Sequence, residues 1–343
     1  MSAPKSRLAA VFVVIVVVIV GGAAVAPYAL GSGDGGGESD PVTVQNQQFQ
    51  PDTILPDQTP ERGEISMESS ASGKTVLVDM GHRNGVSKTQ LEPLLSTLVE
   101  NGHQIRFYRG QRRSLNESLR SADAFLVASP QQRFTSDELA GVEAFTDAGG
   151  RVLVMGGPPS VQASGGLLLG VGGLQPTAPR TAGLSSTYGI AYGSGYLYNM
   201  QENDNNYKSI YARPASSAGL ADGVERVVVR DAVPVRTSSG TRVLVGTEGT
   251  TLSTTRDDGR YAVLARSQGG NVTAVGDTSF VSRENAYDAD NEVLIGNLAD
   301  FLVNGEKTPG APKPPGADAP TGGPGGAPTD GAPTPPRPTP APA

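Results

Sequence analysis

From Thr75 onward the hydrophobic pattern alternates between two periods, and this alternation limits the fold more than any other feature of the chain. Thr75-Val76-Leu77-Val78-Asp79 is a short apolar run, the pattern of a strand buried on both faces. Leu91, Leu94, Leu95, Leu98 and Val99 then recur at the spacing of one helix face. Ile105–Tyr108, Ala124–Val127 and Arg151–Met155 read as further strands. Each intervening helix is preceded by a Ser/Thr-x-x-Glu box: Thr89-x-x-Glu92, Ser114-x-x-Glu117 and Thr135-x-x-Glu138. Strands joined by single short helices run parallel through right-handed crossovers, so the expected fold class is α/β, a three-layer and mostly parallel sheet. After Gly156-Gly157 the pattern loosens. Strands return at Val224–Val229, Arg242–Gly246, Tyr261–Arg266 and Val272–Val275. A last helix starts at Asp290 as N-cap, carries Leu294, Leu298, Phe301 and Leu302, and ends at Gly305.

The ends of the chain have other compositions. Residues 8–26 are apolar and uncharged, and as a helix they would extend about 28 Å, close to the hydrocarbon thickness of a bilayer. Lys5 and Arg7 precede this run, while Asp34, Glu38 and Asp40 follow it. By the positive-inside rule the expectation is a cytoplasmic N-terminus (1–7), a transmembrane anchor in membrane lipid (8–27), a disordered spacer (28–62) and an extracytoplasmic domain (63–304). The localisation expected is a single-pass protein of the cell membrane. A signal peptide cleaved after Ala24-Val25-Ala26 is the alternative, and both readings export the domain. The tail, 305–343, is rich in Pro, Gly, Ala and Thr and has too little apolar surface to offset its ordering entropy.

Composition removes several chemistries. Cysteine is absent, so no disulfide, thiolate metal site or cysteine nucleophile exists. His82 and His103 are the only histidines, which rules out a site of three histidines. A net charge of −7 argues against nucleic acid as a partner. No metal and no cofactor are expected.

In parallel sheets, ligands sit at the carboxyl ends of the strands. The candidate binding residues there are Asp79, His82 and Asn84 after the first strand, Ser129 after the third, Gly157 after the fourth, and Asp277 and Ser279 after the last. Asp79, Asp277 and Asp290 could equally cap turns and helix starts. No G-x-S-x-G elbow accompanies His82, and Pro130 follows Ser129 directly. A second candidate region holds Tyr188, Tyr192, Tyr196, Tyr198, Tyr207 and Tyr211, among ten tyrosines in all. Tyr196 and Tyr198 are its candidate contacts for a partner; the alternative is that the segment packs on the sheet.

Three stretches carry a resemblance: Val78-Asp79-Met80-Gly81-His82-Arg83-Asn84, Tyr188-Gly189-Ile190 through Gly195-Tyr196-Leu197-Tyr198-Asn199, and Gly276-Asp277-Thr278-Ser279-Phe280 with Asp290-Asn291. With them the chain resembles the domain of unknown function 4350 family, in its membrane-anchored, salt-adapted archaeal form. The resemblance implies a class I glutamine-amidotransferase-like, flavodoxin-like domain over about residues 73–304. Met155-Gly156-Gly157 stands where active amidotransferases carry their cysteine. It therefore implies a catalytically inactive domain, not an enzyme, that binds a ligand or protein partner in a membrane complex. The alternatives are an accessory subunit of an ABC-type transport or membrane-assembly complex, and a hydrolase using His82 with Asp79 or Asp277.

Overall fold

The computed structural model describes residues 63–158, 160–163, 174–215 and 219–313. The first half follows the apolar runs closely: β1 (Thr75–Asp79), α1 (Glu92–Glu100), β2 (Gln104–Tyr108), α2 (Leu115–Leu119), β3 (Ala124–Ala128), α3 (Ser136–Asp147) and β4 (Arg151–Met155). β1 and β3 are buried along their whole length. Because side chains alternate across a strand, Val76 and Val78 pack into one core with Leu91, just before α1, and Leu94 and Leu98 of α1. Leu77 points the other way, into a second core with Leu115 and Leu119 of α2 and Val142 and Phe145 of α3.

The second half is built differently. It comprises β5 (Ser160–Ala163), β6 (Leu174–Thr177), α4 (Ala182–Ser186), β7 (Ile190–Tyr192), β8 (Leu197–Tyr198), β9 (Ser209–Pro214), β10 (Val227–Arg230), β11 (Val235–Thr237), β12 (Thr241–Gly246), β13 (Thr251–Leu252), β14 (Ala262–Arg266), β15 (Val272–Val275) and α5 (Asn291–Val303). The main sheet has nine strands in the order β10-β9-β12-β14-β15-β4-β3-β1-β2. β2, β1, β3, β4 and β15 are mutually parallel. β14, β12, β9 and β10 continue the sheet antiparallel. The ribbons β11–β7, β13–β8 and β5–β6 are antiparallel as well.

The expected mostly parallel, three-layer, flavodoxin-like sheet of amidotransferase type is therefore corrected to a large mixed sheet with few helices, and with the three ribbons counted antiparallel pairings outnumber parallel ones. Parallel neighbours need a long crossover, whereas antiparallel neighbours close through a short turn. Past α3 the described residues offer only the five-residue α4 before α5. β14 reaches β15 through Ser267–Asn271 alone, so these strands pair antiparallel.

Local signals fared unevenly. Thr135 and Glu138 form the full capping box of α3, and Ser114 accepts from Glu117 N at α2. Thr89 does not cap α1: Glu92 instead meets Arg283 through two contacts of 2.7 and 2.8 Å. Asp290 precedes α5 without capping it, and its Oδ2 accepts from Glu225 N and Arg226 N, fastening the helix start to the approach of β10. Beyond α5 the chain stays on the domain, where Thr308 N donates to Ala148 O.

Among the described residues no helix is long and apolar enough to cross a membrane. The expected single-pass cell-membrane localisation conflicts with this and is corrected accordingly. The run 8–27, its lipid contact, the spacer 28–62 and the tail beyond 313 lie outside the described residues.

Candidate functional site

β1 ends with Asp79 fully buried, and the chain turns back at once through Arg83, whose φ is 51°. The turn places His82, only 4% exposed, against the carboxylate: Nδ1 lies 3.0 Å from both Asp79 oxygens. Gly81 N donates to Asp79 Oδ1 at 3.0 Å, and Asn84 Nδ2 donates to Ala128 O at 2.8 Å and Asp79 Oδ2 at 3.3 Å. On the other side of the ring, His82 Nε2 lies 3.4 Å from Glu138 Oε2. Phe134 stacks on the imidazole with ring centres 3.9 Å apart. Tyr108, at the end of β2, donates its hydroxyl to Glu138 Oε1 at 3.4 Å. The backbone closes the group: Gln131 N and Gln132 N both donate to His82 O.

Sequence reasoning missed Tyr108, Phe134 and Glu138 as members of this cluster. A signal existed in Thr135-x-x-Glu138, but a capping box announces only the bond from its Glu to the N-cap, not that the same oxygen faces a histidine.

Burial alone would lower the His82 pKa, but Asp79 and then Glu138 outweigh it and hold the imidazole above its ordinary value. Burial pushes Glu138 up, yet its bonds from Thr135 and the His82 charge leave it below the usual carboxylate value. Tyr108 is pushed up to about 12 by burial and by Glu138. A carboxylate facing each nitrogen favours the charged form of the imidazole, in which both nitrogens donate. The arrangement works as a clamp between β1, the loop after β3 and the start of α3.

Ser129 and Gly157 border this clamp. Ser129 adopts a φ of 45°, donates its N–H to Met155 O and accepts from Gly85 N. A Cβ on Gly157 would lie 2.3 Å from Ser129 Oγ, so any larger residue there would displace the Ser129 hydroxyl.

Asp277 and Ser279 form a second, separate group. Asp277 Oδ1 accepts from Ser279 N at 2.7 Å, and Oδ2 accepts from Ser279 Oγ at 2.8 Å and Arg230 N at 3.1 Å. Burial raises the Asp277 pKa, partly offset by these donors. The carboxylate thus ties β15 to β10, and no bond to the His82 cluster is seen among the described residues.

The tyrosine run divides. Tyr192 is buried, with its hydroxyl on Val154 O at 2.8 Å, and Tyr188 reaches Thr146 Oγ1 at 3.1 Å. Tyr196, Tyr198 and Tyr207 instead form a chain of rings on the surface, with successive centroids 6.2 Å apart. Lys208 Nζ sits 4.5 Å above the Tyr196 ring. Beside them Met200 is 70% and Tyr207 42% exposed, the largest apolar exposures among these residues apart from Val99. Buried Asn199 fixes the loop by accepting from Gln201 N and Glu202 N.

Comparison with known proteins adds a family and a fold. The family described as Domain of unknown function (DUF4350) matches residues 93–299, and the chain belongs to it. No curated protein matches the chain. Among solved structures, the mmIFT52 N-terminal domain is similar with a TM-score of 0.53 and 16% identity, covering 68% of this chain and 99% of that one. A putative thua-like protein from Bacteroides uniformis has a TM-score of 0.42 and 8% identity, covering 71% of this chain and 97% of that one. The first likeness shows a shared fold and nothing of function.

Proposed function

We propose, taking membership of the DUF4350 family as the premise, that this domain is a non-catalytic binding module that docks a protein partner through its tyrosine face. The observation that carries this reading is the row of half-buried Tyr196 and Tyr198 with exposed Tyr207, flanked by exposed Met200 and by Lys208. Tyrosine offers large contact area with few rotors to freeze, and aromatic anchors dominate many protein interfaces. Held on a loop pinned by Asn199, these rings lose little further entropy on docking.

The His82 clamp supports the non-catalytic half of the proposal. A hydrolase would need an imidazole with a free nitrogen beside a nucleophile. Here both nitrogens face carboxylates, and Asp277 is engaged by Ser279 and Arg230.

The test is capture of partner from native extract, followed by rebinding of the purified, identified protein to variants. Tyr198→Ala and Tyr207→Ala should each weaken rebinding at least about tenfold, the loss of one interface anchor, with unchanged circular dichroism. Full binding by the double variant would remove the tyrosine face from the function.

A further inference from the structure

At the sheet edge opposite the His82 clamp, Arg151 opens β4 and Arg266 closes β14. The two guanidinium groups share one small volume: each lies 5.5 Å from the Phe301 ring centre, and each donates to the same carbonyl, Gly270 O, at 2.6 and 2.9 Å. Arg151 also donates to Asn271 Oδ1 at 2.9 Å, but its Nε is buried with no hydrogen-bond partner. Neither arginine has an ion pair with a carboxylate among the described residues. They line a cavity of about 390 Å³ with Leu220, Asn297 and Asn304.

Two half-buried guanidiniums without a direct ion pair are costly, and solvent, a ligand or the more distant carboxylates of the cavity must compensate them. Burial lowers both guanidinium pKa values, and the neighbouring Arg266 lowers that of Arg151 further. Planar guanidiniums match the geometry of a carboxylate or phosphate. The rest of the cavity selects between these. Glu68, Asp222 and Asp300 line it too, and the Asp300 oxygens are engaged by Glu68 N and Ser69 N at 2.9 Å. These acids disfavour a ligand with a second negative charge.

We infer that the Arg151–Arg266 cavity is a binding site for a small organic monocarboxylate, whose single charge sits between the two guanidiniums while its body occupies the space beside Leu220 and Phe301. This site is remote in sequence from the tyrosine face and independent of the docking proposal.

The test follows the arginine Nε–Hε signals of the full chain by NMR during titration with sodium acetate. Sodium chloride at matched ionic strength is the control, and phosphate near pH 8, where it is mainly a dianion, is a second probe. Acetate should give saturable shifts in two signals, identified by their loss in Arg266→Gln and Arg151→Lys. Acetate binding should weaken at least about tenfold in Arg266→Gln, as when a bidentate charge partner is removed. Arg266→Lys, which keeps the charge and loses the fork, should weaken it as well, and serves if the glutamine variant does not fold. Phosphate should bind more weakly than acetate. Linear shifts equal to those from chloride, unchanged acetate affinity in the folded Arg266 variants, or tighter binding of phosphate would each overturn the assignment.

Discussion

Replacing His82 by alanine is expected to lower the unfolding free energy by about 3 kcal/mol, the usual cost of removing one partner from a buried ion pair. The loss exceeds that of an ordinary surface change because Asp79 stays fully buried and keeps only the Gly81 and Asn84 donors. The deficit should depend on pH in a defined sense. His82 is held above its ordinary value of 6.5, since its carboxylate partners outweigh burial. Its contribution is thus fully present below 6.5 and is lost as pH rises through the folded pKa. Glu138 lies below its ordinary 4.5, so its contribution is present above 4.5 and is lost as pH falls through the folded value. Urea midpoints on both sides of neutrality should show the alanine variant most handicapped on the acid side of His82's titration, with the deficit narrowing above it while the lost packing against Phe134 persists. A deficit below about 1 kcal/mol at every pH, the range of an ordinary surface substitution, would mean that the clamp carries no stability.

Gly276→Ala should cost about 3 kcal/mol, the upper end for forcing a methyl into a packed interior. An added Cβ would lie 2.0 Å from Val233 O, a backbone atom without a rotamer to yield. Gly276 is also bonded on both sides, its N–H donating to Val263 O at 2.7 Å and its carbonyl accepting from Val233 N at 2.8 Å. Gly269→Ala is the matched control, because nothing lies within 4 Å of its Cβ position. Equal thermal midpoints for the two variants would contradict the close packing at Gly276.

This pair of variants shows how far the sequence could be read. Gly276-Asp277-Thr278-Ser279 stands out as a motif, and its position after a strand suggests a ligand site. The structure gives the motif an architectural use: glycine for close approach to Val233, Asp277 to bind Ser279 and the β10 backbone. Single-strand signals were strong enough to locate β1, β3, β4 and β15, because continuous apolar runs between turn residues have few other solutions. Strand direction was not legible past Met155, since it depends on connection length and on partners distant in sequence. β7, β8, β9, β11 and β13 escaped notice because they are short or lie in the Tyr/Gly/Asn-rich stretch, where apolar alternation is weak. The site was half legible. Asp79, His82 and Asn84 are close in sequence and cluster locally, whereas Glu138 and Phe134 join them only through the packing of α3. Tyr196 and Tyr198 could be read as candidates, but only the structure separates them from Tyr192, which is buried, and from Tyr188, which bonds Thr146.

The proposed non-catalytic role rests on His82 being held as a cation between Asp79 and Glu138. Long-range ¹H–¹⁵N correlation of the imidazole in the full chain tests it most directly. Both ring nitrogens should be protonated in the main form at pH 6.5, with proton signals slowed in exchange by burial and a midpoint above the ordinary 6.5. A neutral tautomer as the main form at pH 6.5, with one nitrogen free to accept a proton, would overturn this reading and return His82 to the candidate bases.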